Sequence, residues 1–198
     1  MKSILMCAAL VLCGSMAYSQ SGPLEDDSEQ IKFGIFFLPE IRWENNEEKV
    51  ATGRTAGGLG VGLRYKQFGL IGEVASYSGD QSKTGSFSVD RMHTDFNVLV
   101  RLESPEYMLG TQAWAFGYVG AGLGLFRETI ETEVNGLRET DVTKNYAQVV
   151  AEVGGEVRMF AADKQWRPLI GLGLRGYNSK DLDPDTVLGL QVRLGLEF

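Results

Sequence analysis

Cysteine is nearly absent from this chain: two of 198 residues, Cys7 and Cys13, both within the first thirteen positions. That excludes a disulfide framework or a thiolate metal site in the remaining sequence. Histidine is scarcer still, with His93 alone, so no histidine-built metal centre is expected and any general-base chemistry has a single imidazole candidate. Lys and Arg number 19 against 26 Asp and Glu, a net charge of −7. The chain thus lacks the cationic surplus that holds a phosphate backbone, and nucleic acid is not an expected partner. It also contains no stretch of about 18 apolar residues, which excludes a membrane-spanning helix.

Glycine, by contrast, is plentiful, at 25 residues. These glycines sit inside apolar stretches at 57–62, 117–124 and 171–176, a placement that suits strands with close backbone approach or strong curvature. Residues 1–19 read as an export signal: Lys2, an apolar run over 4–13, and Ala17-Tyr18-Ser19 at the cleavage position. Cleavage before Gln20 would remove both cysteines. Leu12 stands where a lipoprotein signal carries a small residue, which argues against lipidation of Cys13. Residues 20–30 form an acidic leader, and 31–198 form the folded domain.

From Ile31 onward apolar and polar residues alternate with the period of a strand. Ile31, Phe33, Ile35, Phe37, Ile41 and Trp43 oppose Lys32, Gly34, Glu40 and Arg42, with Phe36 and Leu38 as exceptions and Pro39 marking a bulge or bend. Leu59, Val61, Leu63 and Tyr65 oppose glycines and Arg64, and a tight turn near Gln67 leads to Phe68, Leu70 and Val74 opposite Glu73. Similar runs cover 92–102, 113–126, 147–159, 167–175 and 188–198. About eight strands result, each near the ~9 to 11 residues that a tilted membrane strand needs. The fold class is therefore all-β: a closed antiparallel up-and-down transmembrane β-barrel of about eight strands.

Loop lengths carry a second signal. Long polar connections at 44–54, 78–89, 127–144 and 178–185 alternate with short ones at Gln67 and 161–165, while 103–112 is intermediate. Long outer loops and short periplasmic turns are the pattern of membrane barrels. Within 127–144, Asn135-Gly136 predicts a two-residue hairpin turn, so this connection is expected to project as a hairpin.

Alternation does not say which face is outside, because a secreted lipocalin-like barrel with Phe96, Leu190 and Leu194 lining an apolar cavity would alternate as well. Mid-strand charges of both signs favour lipid outside. Glu73, Asp95, Arg101, Glu152, Glu156, Arg158, Arg175 and Arg193 suit a polar lumen, where they are expected to form a paired network that fills the barrel.

These residues resemble those of the small outer-membrane barrels that include the OmpA membrane domain, OmpX and OmpW-like proteins, over residues 31–198. The most specific element is the last strand, hydrophobic at alternate positions through Leu194 and Leu196 to the terminal Phe198, which is similar to the signal read by the barrel-assembly machinery. The resemblance implies a bacterial outer-membrane location, with membrane lipid and lipopolysaccharide around the barrel and an extracellular protein or surface ligand at its loops.

No catalytic constellation stands out, and neither cofactor nor metal is expected. His93 and Asp95 share a face with Ser88 on the approach, the one arrangement reminiscent of a hydrolase, but the surrounding 91–95 lacks the pattern of the lipid A deacylases or palmitoyltransferases. Asp181, Asp183 and Asp185 with Asn178 lack the glycine and terminal glutamate of a calcium loop, and Pro184 breaks their spacing. The expected role is non-enzymatic, structural or in surface interaction through long loops. The alternatives are a narrow pore or hydrophobic-solute conduit of the OmpW type and, third, a lipid A-modifying enzyme.

Overall fold

The computed structural model describes residues 31–46, 49–84, 87–135, 137–160, 166–179 and 186–198; the expected export signal and acidic leader lie outside them. Ten strand segments occur: β1 (Lys32–Phe37), β2 (Glu40–Asn46), β3 (Lys49–Tyr65), β4 (Phe68–Thr84), β5 (Phe87–Glu103), β6 (Tyr107–Met108), β7 (Ala113–Val134), β8 (Leu137–Met159), β9 (Arg167–Asn178) and β10 (Thr186–Glu197). Every pairing is antiparallel.

The segments make eight staves. β1 and β2 are two halves of one stave, separated at Leu38-Pro39, because proline has no N–H to give the ladder. The wall stays sealed across this break: Leu38 N donates to Gly58 O at 2.9 Å, and Val192 N donates to Pro39 O at 2.8 Å. The split stave lies between β3 and β10, and the remaining staves follow in chain order back to β10. A sheet closed in this way leaves no edge in the ring. The short β6 pairs back onto β7 within the connection between β5 and β7.

The two faces differ as a membrane barrel requires. Exposed outward are Leu59, Val61, Leu63, Phe68, Leu70, Val98, Val100, Ile170, Leu172, Leu174 and Leu188. Phe96 and Leu194 face outward too, at 48% and 41% exposure, so the apolar-cavity reading fails. Such an apolar belt, roughly 25 Å tall in barrels of this kind, meets lipid without cost. Among the described residues no helix is long and apolar enough to cross a membrane.

Two of the four connections expected to be long loops are strand instead, and a third, 127–144, is the projecting hairpin that Asn135-Gly136 predicts. β2 and β3 pair as far as Asn46↔Lys49, β4 and β5 as far as Thr84↔Phe87, and β7 and β8 as far as Val134↔Leu137. Residues 44–46, 49–54, 78–84, 87–89, 127–134 and 137–144 are thus strand, and polarity on both faces, not a lack of structure, gave the first four of these segments a loop-like sequence. β7 and β8 run to 22 and 23 residues, about twice the length needed to span a bilayer. At the predicted turn Asn135 takes φ 53°, as a two-residue hairpin loop requires. Of the fourth connection, residues 180–185 lie outside the described residues, as does the short turn at 161–165. At the opposite end Lys66-Gln67 closes β3 onto β4, with Tyr65↔Phe68 as the last pair and Lys66 at φ 55°.

Candidate functional site

The inward face of every stave but β7, which presents aromatics and glycines, carries charge, and curvature brings those charges to one axis. Near the hairpin end, Arg42 on β2 donates to Asp95 on β5, to Glu40 at 3.1 Å and to the Tyr177 hydroxyl at 3.1 Å. Tyr177 in turn donates to Glu40 at 2.8 Å, and the Arg42 guanidinium lies over both the Tyr77 and Tyr177 rings. In the middle, Arg175 donates to Glu73 at 2.8 Å and to Glu152 at 2.7 Å. Asn97 joins Glu73 at 3.1 Å, and Gln148 joins Asn97 at 2.8 Å. Arg101 donates to Glu152 and, at 2.5 Å, to Glu156, which also accepts from Arg193 at 2.8 Å.

Toward the turn end the network continues through residues absent from the expected set. Arg158 pairs with Glu103 at 2.9 Å and Glu106 at 2.6 Å, Arg64 with Glu197 at 2.8 Å, and Arg167 with Glu106 at 3.3 Å and Glu197 at 3.5 Å. All eight expected charges are thus buried on the lumen face and joined to one another or to these neighbours: Glu73, Asp95, Arg101, Glu152, Glu156, Arg158, Arg175 and Arg193. The missed members Glu40, Arg42, Glu103 and Arg167 lie on the polar face of their strands' alternation. Parity alone would have found them. Only Glu106, on the connection after β5, had no periodic signal.

Glycines make room for this network. A Cβ at Gly173 would overlap the Tyr118 hydroxyl, and one at Gly154 would stand 2.5 Å from it. Tyr118 lies flat across these two bare positions with the Arg101 guanidinium 3.6 Å above its ring, a geometry that adds cation–π attraction. The apolar exceptions in the sequence have a place here too. Phe36 and Leu38 pack on Leu169, Phe36 beneath Arg193 at 4.9 Å, and Leu99 and Val150 pack on Tyr177.

Glu106 sits outside the strands, at the turn-end mouth. Burial pushes its carboxyl up, but Arg158 and Arg167 beside it hold it below the ordinary carboxylate range. A carboxyl depressed in the folded state adds stability that is complete above the ordinary pKa, about 4.3, and is lost as pH falls through the folded value. Acidification below pH 4 should therefore lower the denaturant midpoint of the refolded barrel, and Glu106→Gln should flatten that slope. An unchanged slope in the variant would remove Glu106 from the account.

The suspected hydrolytic arrangement is not assembled. His93 stands between Tyr77 and Phe126, ring centroids 4.8 and 4.9 Å away, with Glu128 at 3.7 Å. Asp95 is engaged by Arg42. Ser88 lies five positions along an unbroken β5–β7 ladder, hence on the opposite face and roughly 17 Å away at ~3.4 Å per residue. Among the described residues no group of three His, Cys, Asp or Glu side chains is placed to hold a metal. Asp181, Asp183 and Asp185 lie outside the described residues, while Asn178 donates to Thr186 Oγ1 at 3.1 Å.

Beyond the lipid belt four strands continue together. β3 leaves β4 at Ala56↔Tyr77, and β9 ends against β8 at Val149↔Asn178. Above that level residues 78–84, 87–92, 129–134 and 137–143 continue as a four-stranded sheet with no pairing to the other described staves.

No family model matches the chain, and no curated protein matches it. Solved structures do. Neisserial surface protein A aligns with a TM-score of 0.54 at 10% identity, over 84% of this chain and 95% of that one. A major outer membrane protein from Thermus thermophilus aligns at 0.49 and 13% identity, covering 86% and 100%. The attachment invasion locus protein Ail of Yersinia pestis aligns at 0.44 and 12%, covering 86% and 99%. The ring of eight staves, the apolar exterior, the charged interior and the likeness to Neisserial surface protein A together establish the fold: this chain is a transmembrane β-barrel of the small outer-membrane type.

Proposed function

We propose that the protein works in the bacterial outer membrane as a non-enzymatic barrel that holds a four-stranded sheet out from the cell surface, where it contacts an extracellular protein or other surface ligand. The observation that carries this reading is the projecting sheet of β4, β5, β7 and β8, whose rims on β4 and β8 have no neighbouring strand among the described residues. Exposed strand rims are places where a partner chain adds main-chain hydrogen bonds. The barrel below anchors the sheet: its outward belt would be surrounded by membrane lipid, with lipopolysaccharide at the hairpin end. Leu194, Leu196 and Phe198, outward-facing at the end of the last stave, would present the signal read by the barrel-assembly machinery.

A lumen crossed by buried ion pairs argues against the narrow pore and the hydrophobic-solute conduit, since an ion or solute would have to displace Arg101, Arg175 and Arg193 from their carboxylates. The separation of Ser88 from His93 argues against lipid A chemistry. The test is placement: an epitope inserted between Asn135 and Gly136 should be detected on intact cells, with the protein in the outer-membrane fraction and no discrete conductance steps in planar bilayers. Recovery as a soluble periplasmic protein would sink the proposal, and regular conductance steps would restore the pore reading.

A further inference from the structure

Most polar atoms in the lumen are paired, and several of the exceptions gather in one place. Arg193 donates Nη1 to Glu156, but its Nε and Nη2 have no hydrogen-bond partner; the same holds for Nη2 of Arg101 and Nε of Arg158. The closest carboxylate oxygens are at ion-pair separations without hydrogen-bond geometry, Glu152 at 3.9 Å from Arg193 Nη2 and Glu197 at 3.4 Å from Arg158 Nε. The three side chains are 1%, 1% and 2% exposed. An unpartnered guanidinium N–H in such surroundings is costly.

All three arginines line a single cavity in the turn-end half of the lumen, walled on its apolar side by Phe36, Ile71 and Leu169. Lys32 and Arg64 add two further cations to its lining, against the carboxylates of Glu103, Glu156 and Glu197. Glu152 and Glu106 stand behind this lining as further partners of Arg101 and Arg158, so what the pocket offers an anion is guanidinium N–H groups without acceptors. The space between them is about 20 Å³, a little more than the ~10 to 15 Å³ that one water-sized occupant needs. A monovalent halide fits, and it accepts hydrogen bonds from several directions at once.

We propose that this cavity is a binding site for a small inorganic anion, chloride in the cell, held by the unpaired donors of Arg193, Arg101 and Arg158. The anion completes the guanidinium hydrogen bonding and joins the last stave to β5 and β8 without a protein–protein bond. The site is independent of whatever the surface sheet contacts.

Bromide is the probe. Crystals of the refolded, unaltered protein grown in sodium bromide should show an anomalous peak in this cavity, within contact of the Arg193 guanidinium. Surface bromides with no peak in the cavity would overturn the proposal and assign the space to water. In solution, the thermal midpoint of the wild type should rise saturably with chloride and not with gluconate at equal ionic strength, because a ligand bound only by the folded state raises its stability. That difference should be lost in Arg193→Gln. An equal chloride response in both proteins would mean a general salt effect and would also overturn it. If the variant does not refold, the diffraction experiment decides alone.

Discussion

Replacing Glu152 by alanine should lower the stability of the refolded barrel by about 3 to 5 kcal/mol, the cost of removing one partner from a buried ion pair, read as a large drop in urea midpoint. Glu152 is only 5% exposed and accepts hydrogen bonds from Arg101 and Arg175, with Arg193 at 3.9 Å. Its loss leaves guanidiniums from three different staves short of a counter-charge in a space where water cannot follow freely. The effect is not a claim that ion pairs stabilise better than apolar packing would. Glu152→Met combined with Arg101→Met should recover much of the loss, because Arg175 keeps Glu73 and replacing both members of a buried pair is often close to neutral. A Glu152→Ala midpoint within error of wild type would mean that the lumen is wet enough to solvate stranded arginines.

Gly122→Ala should be nearly as damaging, toward the upper end of the ~1 to 3 kcal/mol typical of overpacking. A methyl at this inward position of β7 would overlap the Val98 carbonyl oxygen and stand 2.7 Å from Leu99 Cα. Both are backbone atoms of the neighbouring stave, so no side chain can swing aside; β5 and β7 would have to part. Gly72→Ala is the matched control. It lies on the outward face of β4 with nothing within 4 Å of an added Cβ, and its change should stay within about 0.5 kcal/mol. Equal midpoints for the two variants would refute the close-approach argument.

The sequence made the barrel legible because a strand's side chains alternate with period two, so a charged lumen and a lipid-facing belt separate by parity. Parity also holds at Phe36 and Leu38, but these apolar residues on the polar face stood as exceptions until curvature showed that they fill gaps between charged layers, as Leu99 and Val150 do. Strand character over 78–84 and 87–89 was hidden for the converse reason, since Ser, Asp, Gln and Lys there erase the alternation, whereas Asn135-Gly136 did announce the projecting hairpin of β7 and β8. Pairing within the lumen was beyond reach as well. Arg175 meets Glu73, 102 positions away, only through the stagger of the staves, which no local pattern encodes. Tyr118 and Tyr177, which lie against the arginines, looked like ordinary strand aromatics.

The split first stave has a consequence for how the ring comes together. Every other neighbouring pair of staves is a hairpin or a short return, closed by residues near in sequence. The seam alone unites the two ends of the described chain: Phe198 N donates to Phe33 O at 2.7 Å, and Phe33 N to Phe198 O at 3.1 Å. Arg64 and Glu197, 133 positions apart, meet beside it, as do Glu40 and Tyr177, 137 apart. Contacts of that span carry the greatest loop-closure entropy, so they form late. Until then the sheet is an open ribbon with two free rims, and a second copy's last stave fits the first rim as well as its own does. Leu38-Pro39 interrupts that rim near its middle, where an incoming strand would find no proline N–H to grip. The gap is the same for the chain's own last stave, so closure at this point rests on Val192 N donating to the Pro39 carbonyl.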